Sequence, residues 1–314
     1  MMSDEHTVIQ AVLAEVEKAV VGKTDILEKI MMAILAGGHI LIDDVPGVGK
    51  TTISIAFAKA LGVSHKRMQF TPDVLPSDIT GFSMYDKNTN TFRYIAGTGM
   101  TNILLADEIN RTSPRTQSAL LEVMEEGNIT VDGITRPVPK PFTVIATQNP
   151  AGSIGTQALP ESQVDRFLIR LSIGYPGVAE EIQILKEIHD HALHTIKSIV
   201  NAEIIIQLQE ATKRVYVDDS IYEYIAELAA ATRRSPLILF GISPRGSVAA
   251  IKMIQARAML DGRSFARPDD VTAILKPVLQ HRLIITSQAR FKHRSVDDIF
   301  AEIVQSIPLP KIVE

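Results

Sequence analysis

The chain has no cysteine. That excludes disulfides, thiol nucleophiles and cysteine-ligated zinc, and it is compatible with a reducing cytoplasm, the expected location. Charge of one sign is also lacking: 32 Lys plus Arg against 36 Asp plus Glu leave a formal net charge of −4. Proteins that coat DNA or acidic membranes carry a basic footprint, and this chain announces none. No apolar run approaches the roughly 20 residues of a membrane span. The segment from Met1 to Val20 has acids where a secretory signal has bases, and its apolar residues are spaced by three and four. This predicts an amphipathic helix rather than a signal peptide. Internal repeats and low-complexity tracts are absent as well. What remains is 314 residues, 46% hydrophobic and 22% charged, enough for one large domain or two ordinary ones.

The most informative stretch is "ILIDDVPGVGKTTISIAF", Ile40 to Phe57. Gly49, Lys50 and Thr51 fit the second half of the phosphate-loop pattern G-x-x-x-x-G-K-[ST], but the first glycine of the pattern falls on Asp44. The context is right. An apolar run, His39 to Asp44, predicts a buried strand, and Thr51 to Leu61 predicts a helix closed by Gly62. The candidate nucleotide-binding residues are Val45, Pro46, Gly47, Val48, Gly49, Lys50, Thr51 and Thr52. Loop amides and the helix N-terminus would face the anion, Lys50 the β- and γ-phosphates, and the Thr51 hydroxyl a Mg²⁺ ion. A carboxylate 4 Å from a phosphate would cost about 1–4 kcal/mol. Asp44 is therefore expected to point away from the nucleotide, toward solvent, a backbone N–H or a basic partner.

Further strands are expected at Lys66–Phe70, Ile103–Ala106, Thr143–Thr147 and Phe167–Ser172. Two of them end in chemistry. "NILLADE" ends in Asp107, placed to hold Mg²⁺ through water, and Glu108, placed to orient and deprotonate an attacking water. "FTVIATQNP" ends in Gln148 and Asn149, and an amide there can bond both a γ-phosphate and a water. Ser113, Pro114 and Gly127 mark the cap, first turn and stop of one helix, and Asp132-Gly133 marks a type I′ hairpin. Strands alternating with helices indicate a three-layer α/β sheet. Beyond "GYPG", Gly174 to Gly177, the pattern turns mainly helical, at about 179–193, 202–215, 220–233, 244–260 and 268–283. The division is residues 1–174 as the α/β unit and 175–314 as a helical one. His189, His191 and His194 invite a metal, but two histidines on one face with no fitting acid read better as solvated helix surface.

The ordered set "DVPGVGKT", "NILLADEINR", "ATQNP", "LPESQVDRF" and "ISPRG" resembles the MoxR family of AAA+ ATPases, and the likeness covers nearly the whole chain. The resemblance implies an AAA+ core with parallel strand order 5-1-4-3-2 and a small helical lid domain. It implies ATP and Mg²⁺ as ligands, Val20, Val21 and Gly22 near the adenine, and Asn149 as sensor 1. Arg245 is implied as a sensor 2 reaching the γ-phosphate of its own subunit, and Arg166 as an arginine finger for a neighbour. Residues Gly81 to Gly99 would hold a helix-2 insert, and Asn128 to Pro137 a hairpin before sensor 1. Family members form rings, six subunits being expected, and act as chaperone-like remodellers, often with partners bearing a von Willebrand factor A domain. A nucleic-acid motor and an ATP-gated scaffold with little turnover are the competing readings. The hairpin offers a DNA strand only Arg136 and Lys140, against Asp132 at its tip. Arg111, Arg115, Arg233 and Arg234 receive no role.

Overall fold

The computed structural model describes residues 2–45, 47–149, 159–186 and 192–310. Pro46, His189 and His191, and the side chain of His194, lie outside the described residues. Five parallel strands form the central sheet: β1 (Ile40–Asp43), β2 (His65–Gln69), β3 (Ile103–Asp107), β4 (Thr143–Gln148) and β5 (Ile169–Leu171). Their order is β5-β1-β4-β3-β2, as the family resemblance implied.

Both faces of the sheet are buried, which is why its strands read as continuous apolar runs. Ile40, Ile42, Ile103, Leu105, Ile145 and Ile169 face one way, into a cluster shared with helices α1 (Met2–Glu17), α2 (Thr24–Leu35) and α3 (Lys50–Ala60). Leu41, Leu104, Ala106, Val144 and Ala146 face the other way, against Leu120, Leu121 and Met124 of α4 (Pro114–Glu126). The Ser113 hydroxyl accepts from the Thr116 amide at 3.3 Å to cap α4, and Gly127 ends it in the left-handed region. Asp132 and Gly133, both at positive φ, turn the hairpin 128–137. A second hairpin pairs Phe82–Asp86 with Thr91–Ile95 and leaves Phe82, Met84, Tyr85 and Phe92 exposed. Arg136 stacks on Tyr94 and ties the two hairpins together.

Beyond the sheet lie α5 (Ala202–Lys213), α6 (Asp219–Arg234), α7 (Pro244–Leu260), α8 (Pro268–Leu279) and α9 (Val296–Ser306). Of the expected helix over 179–193, Val178–Lys186 and Ala192–Thr195 are helical, and residues 187–191 lie outside the described residues. The expected helix over 268–283 stops at Leu279 and tightens into a 3₁₀ turn over Gln280–Arg282, two residues after an internal Pro277. Ile284–Ile285 pairs antiparallel with Ile238–Phe240, a strand pair the helical reading of this region passed over. α1 and α2 pack against α7, so the first helices and the lid share one apolar cluster. Among the described residues, no helix is long and apolar enough to cross a membrane.

Candidate nucleotide site

The loop from Val45 to Gly49 leaves the carboxyl end of β1 and enters α3. Gly47 and Gly49 both sit at φ +88°, a backbone that L side chains resist, so glycine is required here by conformation rather than by space. Lys50 is buried, and its Nζ donates to the Asp44 carbonyl at 2.8 Å. Burial holds its pKa below the usual lysine value, opposed by the nearby charges of Asp107, Asp44, Glu108 and Asp43. Thr51 and Thr52 follow in the first turn of α3, half-buried.

Asp44 settles where the expectation put it, on backbone N–H groups. Its Oδ2 accepts from the amides of Ile173 at 2.5 Å and Gly174 at 2.7 Å, and its Oδ1 from the amide of Val45 at 2.9 Å. The Ser172 hydroxyl adds a longer contact of 3.3 Å. The acid thus ties the start of the phosphate loop to the chain leaving β5.

The acid pair and the amide converge at the same edge. Thr147 Oγ1 donates to Asp107 Oδ1 at 2.7 Å and accepts from the Glu108 amide at 2.9 Å. Glu108 sits at φ +58°, a strained backbone for a non-glycine residue of the kind that gathers at functional sites. Asn149 Nδ2 donates to Glu108 Oε1 at 3.0 Å. Asn149 Oδ1 is buried and has no partner among the described residues, so the site holds an acceptor awaiting a donor. Asn110 braces Asn149 by donating to its carbonyl at 3.2 Å and accepting from its amide at 3.4 Å. Each acid also has an arginine: Asp107 pairs with Arg67 at 2.7 Å, Glu108 with Arg111 at 2.7 Å, and Asp43 with Arg170. Hard oxygen donors from Thr51 and Asp107 fit a Mg²⁺ ion. Val20, Val21 and Gly22 line a cavity of about 450 Å³ with Gln183. Gly22 sits at φ +70°, a backbone that L side chains resist, and Glu180 packs against it.

Arg166 and Arg245 stand elsewhere. The chain after Arg166 meets the amino end of β1, where the Leu168 amide bonds the His39 carbonyl at 2.8 Å. The Lys50 loop follows the carboxyl end, a strand length of about 13 Å away. Arg166 Nη1 pairs with Glu125 Oε2 at 2.9 Å and donates to the Leu121 carbonyl at 3.1 Å. Arg245 Nη2 pairs with the other oxygen of the same Glu125 carboxylate at 2.5 Å. The resemblance implied that Arg245 serves the nucleotide of its own subunit; here it stands beside Arg166, on the same carboxylate at the amino edge. Thr147, Asn110, Arg67 and Glu125 were not found by sequence reasoning. Each is an ordinary strand or helix residue by local pattern, and only cross-strand register reveals its partner.

A sheet of this order, with a glycine phosphate loop, two acids and an amide at one edge and a helical lid, defines a P-loop ATPase of the AAA+ class. Residues 39–169 match the model of the ATPase family associated with various cellular activities, and residues 230–303 match the AAA lid domain. The chain is 35% identical to Chaperone MoxR1 of Mycobacterium tuberculosis over 99% of its length and 85% of that protein. It is 46% identical to YeaC of Bacillus subtilis over 98% of its length and 96% of that protein. The crystal structure of a candidate ATPase from Cytophaga hutchinsonii superposes with a TM-score of 0.91 at 32% identity, covering 99% of this chain and 97% of that one. The chain belongs to the MoxR family of AAA+ ATPases.

Proposed function

We propose that the protein is a Mg²⁺-dependent ATPase whose active site is completed by a second copy of itself in a ring, and that it works as a chaperone-like remodeller of client proteins. The observation that carries this reading is the separation of the two halves of the site. Lys50, Asp107, Glu108 and Asn149 share the carboxyl edge of the sheet, while Arg166 and Arg245 share the amino edge on one carboxylate.

In this reading the loop amides and Lys50 bind the phosphates of ATP. Thr51 and Asp107 would hold a Mg²⁺ ion, which would supply charge neutralisation at the phosphates. Asn149 holds Glu108 by one carboxylate oxygen, and the free Oδ1 of Asn149 accepts from the attacking water. Glu108 takes the proton of that water. Arg166 and Arg245 exchange Glu125 for the γ-phosphate of the neighbouring copy, where charge develops in the transition state. A trans arginine is worth about 10³–10⁵ in rate, or about 4–7 kcal/mol. Hydrolysis should then be slow in the isolated chain and rise with assembly. Asp44 couples the phosphate loop to the start of the "GYPG" linker, a direct route by which nucleotide state can move the lid. The exposed aromatics at Phe82, Tyr85 and Phe92 offer a client-facing surface on the insert hairpin. One relative is named a chaperone, which supports the remodelling role. Six subunits and a partner with a von Willebrand factor A domain belong to the same proposal.

The test is ATP turnover against protein concentration, for wild type, Glu108→Gln and Arg166→Ala. Turnover per chain should rise with concentration in wild type alone. Absence of turnover at every concentration, with tight ATP binding, would sink the motor reading in favour of an ATP-gated scaffold. Full activity of Arg166→Ala in the assembled state would remove the trans assignment.

A further inference from the structure

Of the "HR" pair after α8, His281 lines a cavity with Asp43 and Asn149, while Arg282 turns away toward the other edge. Arg282 has a side chain only 2% exposed, and it reaches across to the segment that carries Arg166. Its Nη1 lies 3.1 Å from Asp165 Oδ1, and its Nη2 donates to the Phe167 carbonyl at 2.8 Å. Residues 165 and 167 flank Arg166 on both sides. The Asp165 carboxylate has a second partner. The Ser243 hydroxyl contacts its two oxygens at 3.2 and 3.4 Å. Ser243 is the N-cap of α7, and Arg245 is the second residue of that helix. One carboxylate thus joins the segment of Arg166, the helix of Arg245 and a buried guanidinium.

Gly246 belongs to the same device. A Cβ at Gly246 would lie 2.8 Å from Arg282 Cδ, so the glycine of "SPRG" is what lets the helix start approach the arginine stem. Burial lowers the Arg282 pKa to about 10, with Asp165 opposing that shift, and the group stays charged at neutral pH. An ion pair that buries one partner is a poor way to gain stability, because an apolar side chain of similar volume avoids the desolvation. Its evident effect is geometric: it sets the position of residue 166 relative to residue 245.

We propose that Asp165 and Arg282 are positioning residues, a clamp between core and lid that holds Arg166 and Arg245 as one unit aimed at the nucleotide of a neighbouring copy. The proposal rests on the reading that those arginines act in trans. Two guanidiniums approaching one phosphate must keep their spacing, and misplacement by about 1 Å can cost about 10²-fold in rate.

The test uses complementation between two impaired full-length chains. Arg282→Met alone should lose about 10²-fold in kcat while its KM for ATP stays within about threefold, because the Lys50 loop is at the other edge. Arg282→Lys should recover part of the loss. A Glu108→Gln chain has a dead site of its own but a sound clamp. Mixed with Arg282→Met, it should restore turnover at the junctions where its arginines face an intact site. Arg166→Ala mixed with Glu108→Gln is the control for the trans reading. If the control mixture regains activity and the Arg282→Met mixture does not, the clamp is wrong and the trans reading stands. If neither regains activity, the trans reading fails and takes the clamp with it. Should Arg282→Met not fold, as judged by its melting transition, Ser243→Ala takes its place. That variant removes one link to Asp165 and should show the same split, smaller, with the same rescue. Unchanged kcat in Ser243→Ala would overturn the proposal.

Discussion

The two edges of the sheet differ in how their charges are arranged. At the carboxyl edge three acids each have their own arginine, Asp107 with Arg67, Glu108 with Arg111 and Asp43 with Arg170, and Asp44 caps backbone amides. At the amino edge Arg166 and Arg245 share the single carboxylate of Glu125, and Arg282 takes Asp165. The first edge is built to bind and ready a nucleotide. The second holds more guanidinium than carboxylate, and a phosphate from outside the chain would fill the deficit. In the proposed reading, one subunit carries two half-sites, each completed by a neighbour.

The hardest blow to this comparison would come from Arg166→Ala. In the assembled protein it should lower kcat by about 10³–10⁵-fold and leave ATP affinity near wild type, by nucleotide titration. Comparable loss of affinity and rate would place Arg166 in its own subunit's site. Glu108→Gln should lower kcat by about 10²–10⁴-fold, again with ATP retained. Stoichiometric ATP trapped on the protein would be the readout.

A smaller effect concerns stability at the amino edge. His39 accepts from the Val144 amide through Nδ1 at 3.0 Å, and its Nε2 lies 3.0 Å from the Met124 carbonyl, which fixes the neutral tautomer with the proton on Nε2. Burial lowers its pKa from 6.5 to about 4. The unfolded chain therefore takes up the proton first as pH falls. Stability from this group is whole above pH 6.5 and declines toward pH 4, by at most about 3 kcal/mol. Urea unfolding across that range should show the decline, and His39→Gln should flatten it.

Asp44→Ala should cost about 1.5–3 kcal/mol, because the buried amide of Ile173 and the half-buried amides of Gly174 and Val45 lose a charged acceptor. A melting temperature equal to wild type would mean that water replaces the carboxylate. The least effect is expected from Glu125→Gln. Exposed ion pairs contribute about 1 kcal/mol or less. Release of the two arginines should lower the protein concentration for half-maximal turnover by no more than about fivefold.

Much of the site was legible as consecutive letters. The loop glycines, Lys50, Thr51 and the Asp107-Glu108 pair carry their chemistry within a few residues of a strand end. Ser113, Pro114 and Gly127 bounded α4 correctly because caps act on their own helix. Contacts with partners far along the chain were not legible in this way. The resemblance implied Arg245 at its own nucleotide, and no local pattern pointed to Glu125, 120 residues away, which pairs with it in the fold. Arg282 drew no attention at all, since nothing near it in sequence distinguishes a buried arginine from a solvated one.

Sequence alone determined that this chain builds a buried parallel sheet with a phosphate loop and two acids at a strand end. Those features follow from local backbone preference and from hydrophobic patterning, which neighbouring residues suffice to specify. Only the tertiary structure decided which edge each arginine serves, that Asp44 caps the amides of Ile173 and Gly174, and that Asp165 joins Ser243 to Arg282. The Asp44 contacts to Ile173 and Gly174 and those of Asp165 span 78 to 130 residues, and the position of a charge at such range depends on how whole helices pack, not on the residues beside it.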